Sequence, residues 1–94
     1  MGFNDFQSAL NLISDNTNPA YKQVFDFLTR QTSASGWEIA KNLGQSPDTL
    51  PTVLDTLRNN GIIESNGYDL EGYYFLSALG FKLRDYLLSD ARRL

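Results

Sequence analysis

Apolar residues recur with the period of an α-helix at the start of the chain. Over residues 5–14 they fall at i, i+3, i+4 and i+7, and these positions are Phe6, Ala9, Leu10 and Ile13. A polar stretch ends the pattern. Asn18 followed by Pro19 is then typical of a helix start, with Asn18 as the expected cap and a proline that loses no hydrogen bond in the first turn. A second helix is predicted over residues 19–30, with an inner face of Tyr21, Val24, Phe25 and Leu28.

A short third helix is predicted from a local signal. Ser35 and Glu38 match a capping box, in which each side chain accepts a hydrogen bond from the backbone N–H of the other residue. The helix is therefore expected over Gly36–Leu43, and Gly44 supplies the left-handed residue that ends it. Its expected buried residues are Ile39, Ala40 and Leu43.

A fourth helix is predicted over residues 48–60, after a tight turn. Asp48 is the expected cap, because Pro51 then occupies the third helical position and removes no intrahelical bond. Gly61 is expected to end the helix. Its inner face is predicted to be Leu50, Val53, Leu54 and Leu57.

The period becomes strand-like beyond Gly61. Two β-branched residues, Ile62 and Ile63, and an aromatic group at residues 73–75 predict a β-hairpin. Its turn is expected at residues 66–67, which are the stronger two-residue turn signal, or at residues 71–72, which give strands of more equal length. The last helix is predicted over residues 77–92. One face is expected to carry Leu79, Leu83, Tyr86 and Leu87, with Phe81 and Leu88 off that face.

Composition narrows the classes of protein that the chain can belong to. Its 94 residues, 41% of them hydrophobic, suffice for one domain with one core. The sequence has no cysteine and no histidine, which excludes disulfides, thiol nucleophiles, the usual zinc sites and imidazole catalysis. Glu38 is assigned to the capping box, and no glycine-rich phosphate loop accompanies the other carboxylates. We therefore expect no enzyme activity, no cofactor and no metal.

The expected location follows from what the sequence lacks. The N-terminus has no signal-peptide pattern, and no apolar run reaches the roughly 18 residues of a membrane span. A cytoplasmic protein that does not bind membranes is the interpretation that fits. The formal net charge of −3 opposes attraction to nucleic acids and acidic membrane surfaces.

The order of these motifs resembles that of small bacterial and archaeal transcriptional regulators of the ArsR, MarR and PadR type. The similarity covers about residues 18–87. The motifs that carry it are Asn18-Pro19, Trp37-Glu38-Ile39-Ala40-x-x-Leu43-Gly44, Ser46-Pro47-x-Thr49-Leu50-x-x-x-Leu54-x-x-Leu57, Gly61-Ile62-Ile63-Glu64 and Tyr74-x-Leu76-Ser77-x-x-Gly80. The resemblance implies an α+β, mostly helical winged helix-turn-helix, with a three-helix core, a β-hairpin wing and additional N- and C-terminal helices. A single domain over residues 1–94 is expected, with an N-terminal helix in 1–17, the core in 18–76 and a C-terminal helix in 77–94.

The resemblance also implies a function, namely that of a small regulator that binds double-stranded DNA. The fourth helix would enter the major groove, and the hairpin would lie along the backbone or the minor groove. The outward residues of that helix are Thr49, Pro51, Thr52, Asp55, Thr56 and Asn59. The candidates for flanking phosphate contacts are Lys22, Lys41, Arg58, Lys82 and Arg84. The cysteine pairs with which ArsR-type sensors bind metal are missing, which excludes a thiolate metal switch.

A homodimer is the expected assembly, because the terminal helices offer more apolar surface than the core needs. In the regulators that this sequence resembles, these two helices commonly form the dimer interface. The residues expected there are Phe3, Phe6, Leu10 and Ile13 from the first helix, and Phe81, Leu88 and Leu94 from the end of the chain.

The charge of the expected DNA-binding face supports a second hypothesis. Residues 46–76 contain one basic residue, Arg58, against five acidic ones, a net charge of −4. A MarR-type wing usually carries an arginine two residues after an aspartate, and the corresponding residues here are Asp69 and Glu71. The alternative is therefore an acidic protein-protein interaction module, or a DNA-mimicking adaptor, that does not bind DNA.

Two sets of aromatic residues have a structural and a functional interpretation. Trp37 is expected to cover the edge of the core against residues 32–35, and the alternative is that it anchors a partner. The aromatic residues of the hairpin are expected to pack it onto the helices rather than to stack on bases. They are Tyr68, Tyr73, Tyr74 and Phe75.

Overall fold

The structure, a computed structural model, describes residues 3–92, with side chains for residues 6–89. This part of the chain contains five α-helices and three strands. In chain order they are α1 Phe3–Ile13, α2 Ala20–Arg30, β1 Ala34–Ser35, α3 Gly36–Leu43, α4 Leu50–Asn59, β2 Ile63–Asn66, β3 Tyr73–Leu76 and α5 Ala78–Arg92, with a 3₁₀ turn at Asp69–Glu71 between the last two strands. The predicted helices and the two hairpin strands are thus confirmed, with ends shifted by one or two residues.

One strand is absent from the sequence-based prediction. The sheet is antiparallel with the order β1-β3-β2, and in β1 Ala34 lies opposite Tyr74 while Ser35 lies opposite Tyr73. A two-residue strand shows no alternation of polar and apolar residues, so the period offers no signal for it. It ties the start of α3 to the hairpin.

The core lies where α2, α3 and α4 pack against the sheet and α5. The predicted inner residues of α2, α3 and α4 are buried, except that Tyr21 and Leu43 are half-buried at the edge of the core. On the predicted face of α5 only Leu83 is buried, since Leu79 and Leu87 are half-buried and Tyr86 is 47% exposed. Phe27 is also buried, although its position in the helical pattern did not predict this. The largest side chains with almost no exposed surface are Tyr74, Phe25, Leu28, Ile39, Leu50, Leu54, Leu57, Ile62, Ile63 and Leu83. Among the described residues, no helix combines the length and the hydropathy that crossing a membrane requires.

The capping box of α3 is confirmed. The backbone N–H of Glu38 donates to Ser35 Oγ at 3.1 Å, and the backbone N–H of Ser35 donates to Glu38 Oε1 at 3.0 Å. Gly44 ends the helix in the left-handed region, at φ 63°. Both signals act within a few residues, which is why the sequence alone located this helix.

The predicted caps of α2 and α4 are wrong. Pro19, not Asn18, is the cap of α2, and it makes no side-chain bond. The cap of α4 is Thr49 rather than Asp48, again without a side-chain bond. A preceding turn at Ser46 explains this, because its carbonyl accepts from the N–H groups of Thr49 and Leu50, at 3.2 and 3.0 Å. The N–H of Asp48 also donates to Ser46 Oγ at 3.2 Å, so Ser46 rather than Asp48 accepts the hydrogen bonds before the start of α4.

The hairpin turns through a longer connection than either predicted two-residue turn. Residues 67–72 join β2 to β3, with Gly67 at φ 98° and Asp69 at φ 56°. The Tyr74 hydroxyl donates to the carbonyl of Asp69 at 2.8 Å and holds the connection in place. Leu70 folds back onto α3, where a Cβ on Gly36 would lie 2.5 Å from the Leu70 Cα. This contact needs the extra residues, and a two-residue turn could not make it.

Candidate nucleic-acid interface

The elements α3 and α4 form a helix-turn-helix whose second helix keeps one face outside. Because α4 buries Leu50, Val53, Leu54 and Leu57, the opposite side of the helix faces solvent. Of the six side chains that the sequence assigns to this outer face, four are exposed and two are half-buried. The exposed ones are Thr49, Thr52, Asp55 and Asn59, and the half-buried ones are Pro51 and Thr56.

The polar groups of the outer face differ in their availability. Thr56 Oγ1 donates to the carbonyl of Thr52 at 2.9 Å, which uses its only proton within the helix. Within the described residues, no hydrogen bond engages the Thr52 hydroxyl or the Asn59 amide. These two side chains are therefore the ones that can bond to an external ligand without breaking an internal contact.

The only basic side chain between residues 46 and 76, Arg58, joins α4 to the wing. Its guanidinium donates through Nη2 to Asp55 Oδ1 at 3.2 Å and through Nη1 to Ser65 Oγ at 3.2 Å. It also lies over the ring of Tyr68, with Cζ 5.3 Å from the ring centroid. We call these four residues the Arg58 cluster. The sequence predicted Arg58 as a phosphate contact but gave no sign of its wing partners, because the helical and strand periods do not relate α4 to β2.

The other predicted phosphate contacts lie on other elements. Lys41 is exposed in the last turn of α3, and Lys82 is exposed on α5. Lys22 pairs with Asp26 at 3.1 Å, and Arg84 pairs with Asp85 at 3.0 Å. Lys22 and Arg84 line one small cavity of about 220 Å³ between α2 and α5. The structure thus places only Arg58 of the five on α4 itself.

The aromatic residues of the wing divide between core and surface. Tyr74 is buried, whereas Tyr68 and Tyr73 are 73% and 54% exposed. Burial raises the pKa of the Tyr74 hydroxyl above its ordinary value, and the charges of Arg58, Asp55 and Asp69 lie close enough to act on it as well. The expectation that the hairpin aromatics pack onto the helices therefore holds for Tyr74 and is wrong for Tyr73. Phe75 is half-buried, and Tyr68 meets α4 only through Arg58.

Trp37 does not cover the core as expected, since 55% of its surface is exposed. Leu70 of the wing connection packs against the start of α3 and closes the core there. The tryptophan side chain is more than half exposed. It is one of three large aromatic residues exposed around the sheet, together with Tyr68 and Tyr73.

The terminal helices contact each other within one chain. The rings of Phe6 and Tyr86 meet edge to face, with centroids 5.5 Å apart. Ile13 is only 2% exposed and belongs to the core, so its assignment to a dimer interface is wrong. It has no surface left to offer a second copy.

The remaining apolar residues expected at a dimer interface differ in exposure. Phe81 and Leu88 are 45% and 51% exposed, and Leu10 is half-buried. The Arg84 guanidinium lies 4.9 Å from the Phe81 ring centroid and covers part of it. The side chain of Phe3 and the whole of Leu94 lie outside the described part of the chain.

Three core helices, of which the last two form a helix-turn-helix, and a β-hairpin beside the second of these two define a winged helix-turn-helix. Solved structures with the same fold support this classification. One is the solution NMR structure of the homodimeric winged helix-turn-helix DNA-binding domain of a possible ArsR-family transcriptional regulator from Mycobacterium bovis. It has a TM-score of 0.71 and 19% identity, and the match covers 95% of this chain and 79% of that one.

A second similar structure is the crystal structure of an ArsR family transcriptional regulator. Its TM-score is 0.67 and its identity 14%, with 98% of this chain and 92% of that chain covered. Neither a family model nor a curated protein sequence matches the chain. The fold prediction is thus confirmed by structure, at a sequence similarity too low to transfer a particular function.

Proposed function

We propose that this protein is a small transcriptional regulator that binds double-stranded DNA with α4 in the major groove. The observation that carries the proposal is the outer face of α4, which is held clear of the core with the wing attached beside it through Arg58. The M. bovis domain is described as DNA-binding, and the second similar structure as a transcriptional regulator. We propose a cytoplasmic, non-enzymatic role that needs no metal or cofactor.

Different residues of α4 would contact the bases and the phosphates of DNA. The polar groups of Thr52 and Asn59 have no hydrogen-bond partner among the described residues, and such groups can bond to base edges in the major groove. Arg58 would provide the phosphate contact. Its ion pair with Asp55 is half-exposed and hence weak, about 0–1 kcal/mol, so a DNA phosphate can replace the carboxylate. The other four basic residues would act on phosphates at a greater distance from α4. They are Lys22, Lys41, Lys82 and Arg84.

Reversing the charge of Asp55 tests the position of the DNA. Asp55→Lys removes the carboxylate that occupies Arg58 and adds a positive charge to the outer face of α4. We expect it to tighten binding to random duplex DNA about tenfold. Fluorescence anisotropy with a labelled duplex measures the change.

A matched variant separates position from net charge. Asp26→Lys makes the same charge change on α2, where it also breaks a surface ion pair, with Lys22. We expect about a twofold gain in affinity from it, through general attraction alone. Equal gains from Asp26→Lys and Asp55→Lys would contradict the placement of DNA on α4.

The acidic surface favours a second candidate function, that of a protein-protein interaction module. The net charge of −4 over residues 46–76 repels phosphates and suits a basic protein partner. Under this alternative, Asp55→Lys and Asp26→Lys should have the same effect on the affinity for DNA. Asp55→Lys would instead weaken binding to the partner.

We further propose a homodimer in which α1 and α5 form the interface. The exposed Phe81 and Leu88 on α5 support it, and the M. bovis domain is described as homodimeric. Sedimentation velocity at tens of micromolar should show a dimer. Leu88→Glu should shift it to a monomer, because dimer formation would then bury a charged carboxylate. Tyr73→Glu, a similar change on the wing, should leave the dimer intact. A wild-type monomer at these concentrations would reject the proposal.

A further inference from the structure

Four side chains on the outer face of α4 lie along one line. Thr52, Asp55, Thr56 and Asn59 stand at i, i+3, i+4 and i+7, which places them in a single stripe of the helix. Thr52 and Asn59 are exposed, and their directions differ by only about 20° around the helix axis. They are separated by about 10.5 Å along that axis, and side chains seven residues apart on a helix in the major groove contact bases about two or three pairs apart.

The stripe lacks the side chains that recognise guanine. Guanine presents two acceptors, O6 and N7, in the major groove, and arginine or lysine is their usual partner. The stripe contains neither. Arg58 lies about 120° around the helix from Thr52, and its Nη1 donates to Ser65 Oγ of the wing at 3.2 Å. The carboxylate of Asp55 only accepts hydrogen bonds, so it disfavours the acceptor pair of guanine. The stripe is therefore unsuited to guanine.

Asn59 has the chemistry that recognises adenine. An asparagine amide donates to adenine N7 and accepts from the adenine N6 amino group at the same time. Asn59 is exposed, and among the described residues its amide has no hydrogen-bond partner. The adjacent Asn60 is half-buried, and its Nδ2 donates to the carbonyl of Thr56 at 2.8 Å. Of these two asparagines, only Asn59 has both amide groups available for a base.

Thr52 has the two groups that thymine requires. Thymine presents the O4 acceptor and the C5 methyl group in the major groove. The Thr52 hydroxyl has no hydrogen-bond partner among the described residues and can donate to O4, and the Thr52 methyl group can contact the thymine methyl. Thr56 differs, because its hydroxyl already donates to the carbonyl of Thr52 at 2.9 Å.

We propose that Asn59 recognises an adenine and Thr52 a thymine about two or three base pairs away. These two side chains then determine the sequence that the protein prefers. The inference rests on the proposed function, since it names the bases that the outer face of α4 contacts.

The first experiment identifies the preferred sequence. The purified wild-type protein is used to select duplexes from a random-sequence library, and the bound DNA is sequenced. We expect enrichment of two A·T pairs separated by about two or three positions. Enriched sequences whose invariant positions are G·C pairs would overturn this inference and leave the proposed function intact. Failure to enrich any sequence would overturn the proposed function and this inference with it.

A base analogue in the enriched duplex tests the role of Asn59. Replacement of the adenine by 7-deazaadenine removes only the N7 acceptor, and it should weaken binding of the wild-type protein about tenfold. Asn59→Ala should bind the two duplexes with affinities that agree within about twofold. Asn60→Ala is the matched control and should keep the tenfold preference of about the wild-type size. Each comparison is made within one protein variant, so a change in stability does not affect it. An Asn59→Ala protein that keeps the preference would overturn the proposal.

A second analogue tests Thr52. Replacement of the thymine by uracil removes only the methyl group and should weaken wild-type binding about fourfold. Thr52→Ser lacks the side-chain methyl and should bind both duplexes within about twofold of each other. Thr52→Val keeps a methyl group and loses the hydroxyl, so it should remain sensitive to uracil. A Thr52→Ser protein that distinguishes thymine from uracil as the wild type does would overturn the assignment of Thr52.

Discussion

Truncation of Leu54 to alanine is expected to lower the free energy of unfolding by about 4 kcal/mol. Leu54 has no exposed surface and lies on the buried face of α4, so the lost methyl groups leave a cavity beneath the helix. Urea denaturation followed by circular dichroism measures the change. The outer face of α4 is only as well placed as the packing beneath it, so affinity for DNA should fall along with stability.

Leu88→Ala is the control for this prediction. It makes the same truncation at a residue that is 51% exposed, and it should cost less than about 1 kcal/mol at concentrations where the protein is monomeric. A Leu54→Ala protein that unfolds at the wild-type urea concentration would show that α4 does not rest on this core.

Replacement of Gly80 by alanine is expected to cost about 3 kcal/mol. The first turn of α5 crosses close to the end of α4, and a Cβ on Gly80 would overlap the carbonyl oxygen of Ile62. It would also lie 3.1 Å from the Leu76 Cδ2. The carbonyl cannot move freely, because it accepts hydrogen bonds from both the backbone N–H and the hydroxyl of Ser77. The added methyl group should therefore push α5 away from the wing.

Gly44→Ala is the matched control for steric overlap. Gly44 has a left-handed backbone, but a Cβ added to it would have no neighbouring atom within 4 Å. Its substitution should cost about 1 kcal/mol, from the backbone conformation alone. Thermal and urea unfolding of both variants give the comparison. If Gly80→Ala cost no more than Gly44→Ala, the close packing of α5 against Ile62 would be disproved.

Local signals account for the parts of the fold that the sequence predicted well. The capping box of Ser35 and Glu38 and the left-handed Gly44 act over three or four residues, and the helical period defines the buried face of α4. Strand β1 and the folded wing connection depend on partners that are distant in sequence. Leu70, for example, is placed by its contact with Gly36, and nothing in the residues around Leu70 indicates that contact.

The candidate site also has features that the local sequence predicts and features that depend on residues distant in sequence. The outer face of α4 follows from its period, because a helix with one buried face exposes the other. The Arg58 cluster does not follow, since Ser65 and Tyr68 reach Arg58 only after the wing has packed beside α4. Ile13 illustrates the opposite error. Its place in the apolar face of α1 led to the prediction that it lies in a dimer interface, whereas the packing of α1 against α2 buries it.

The acidic surroundings of α4 have a consequence for how the protein would find DNA. Non-specific affinity arises almost entirely from neutralised phosphates, and Arg58 is the only cation on α4. Random DNA should therefore be bound weakly, and tight binding would depend on base contacts from groups such as Thr52 and Asn59. Weak binding to random DNA combined with base contacts at one sequence raises the ratio of specific to non-specific affinity.

The most direct test of DNA binding is a fluorescence-anisotropy titration of the wild-type protein with random duplex DNA at about 50 mM and about 200 mM salt. The proposed function predicts micromolar binding at the lower salt that is lost at the higher, because phosphate contacts release counterions. Absence of binding at both concentrations would contradict phosphate contacts from α4 and the residues beside it, and would favour the protein-protein interaction module.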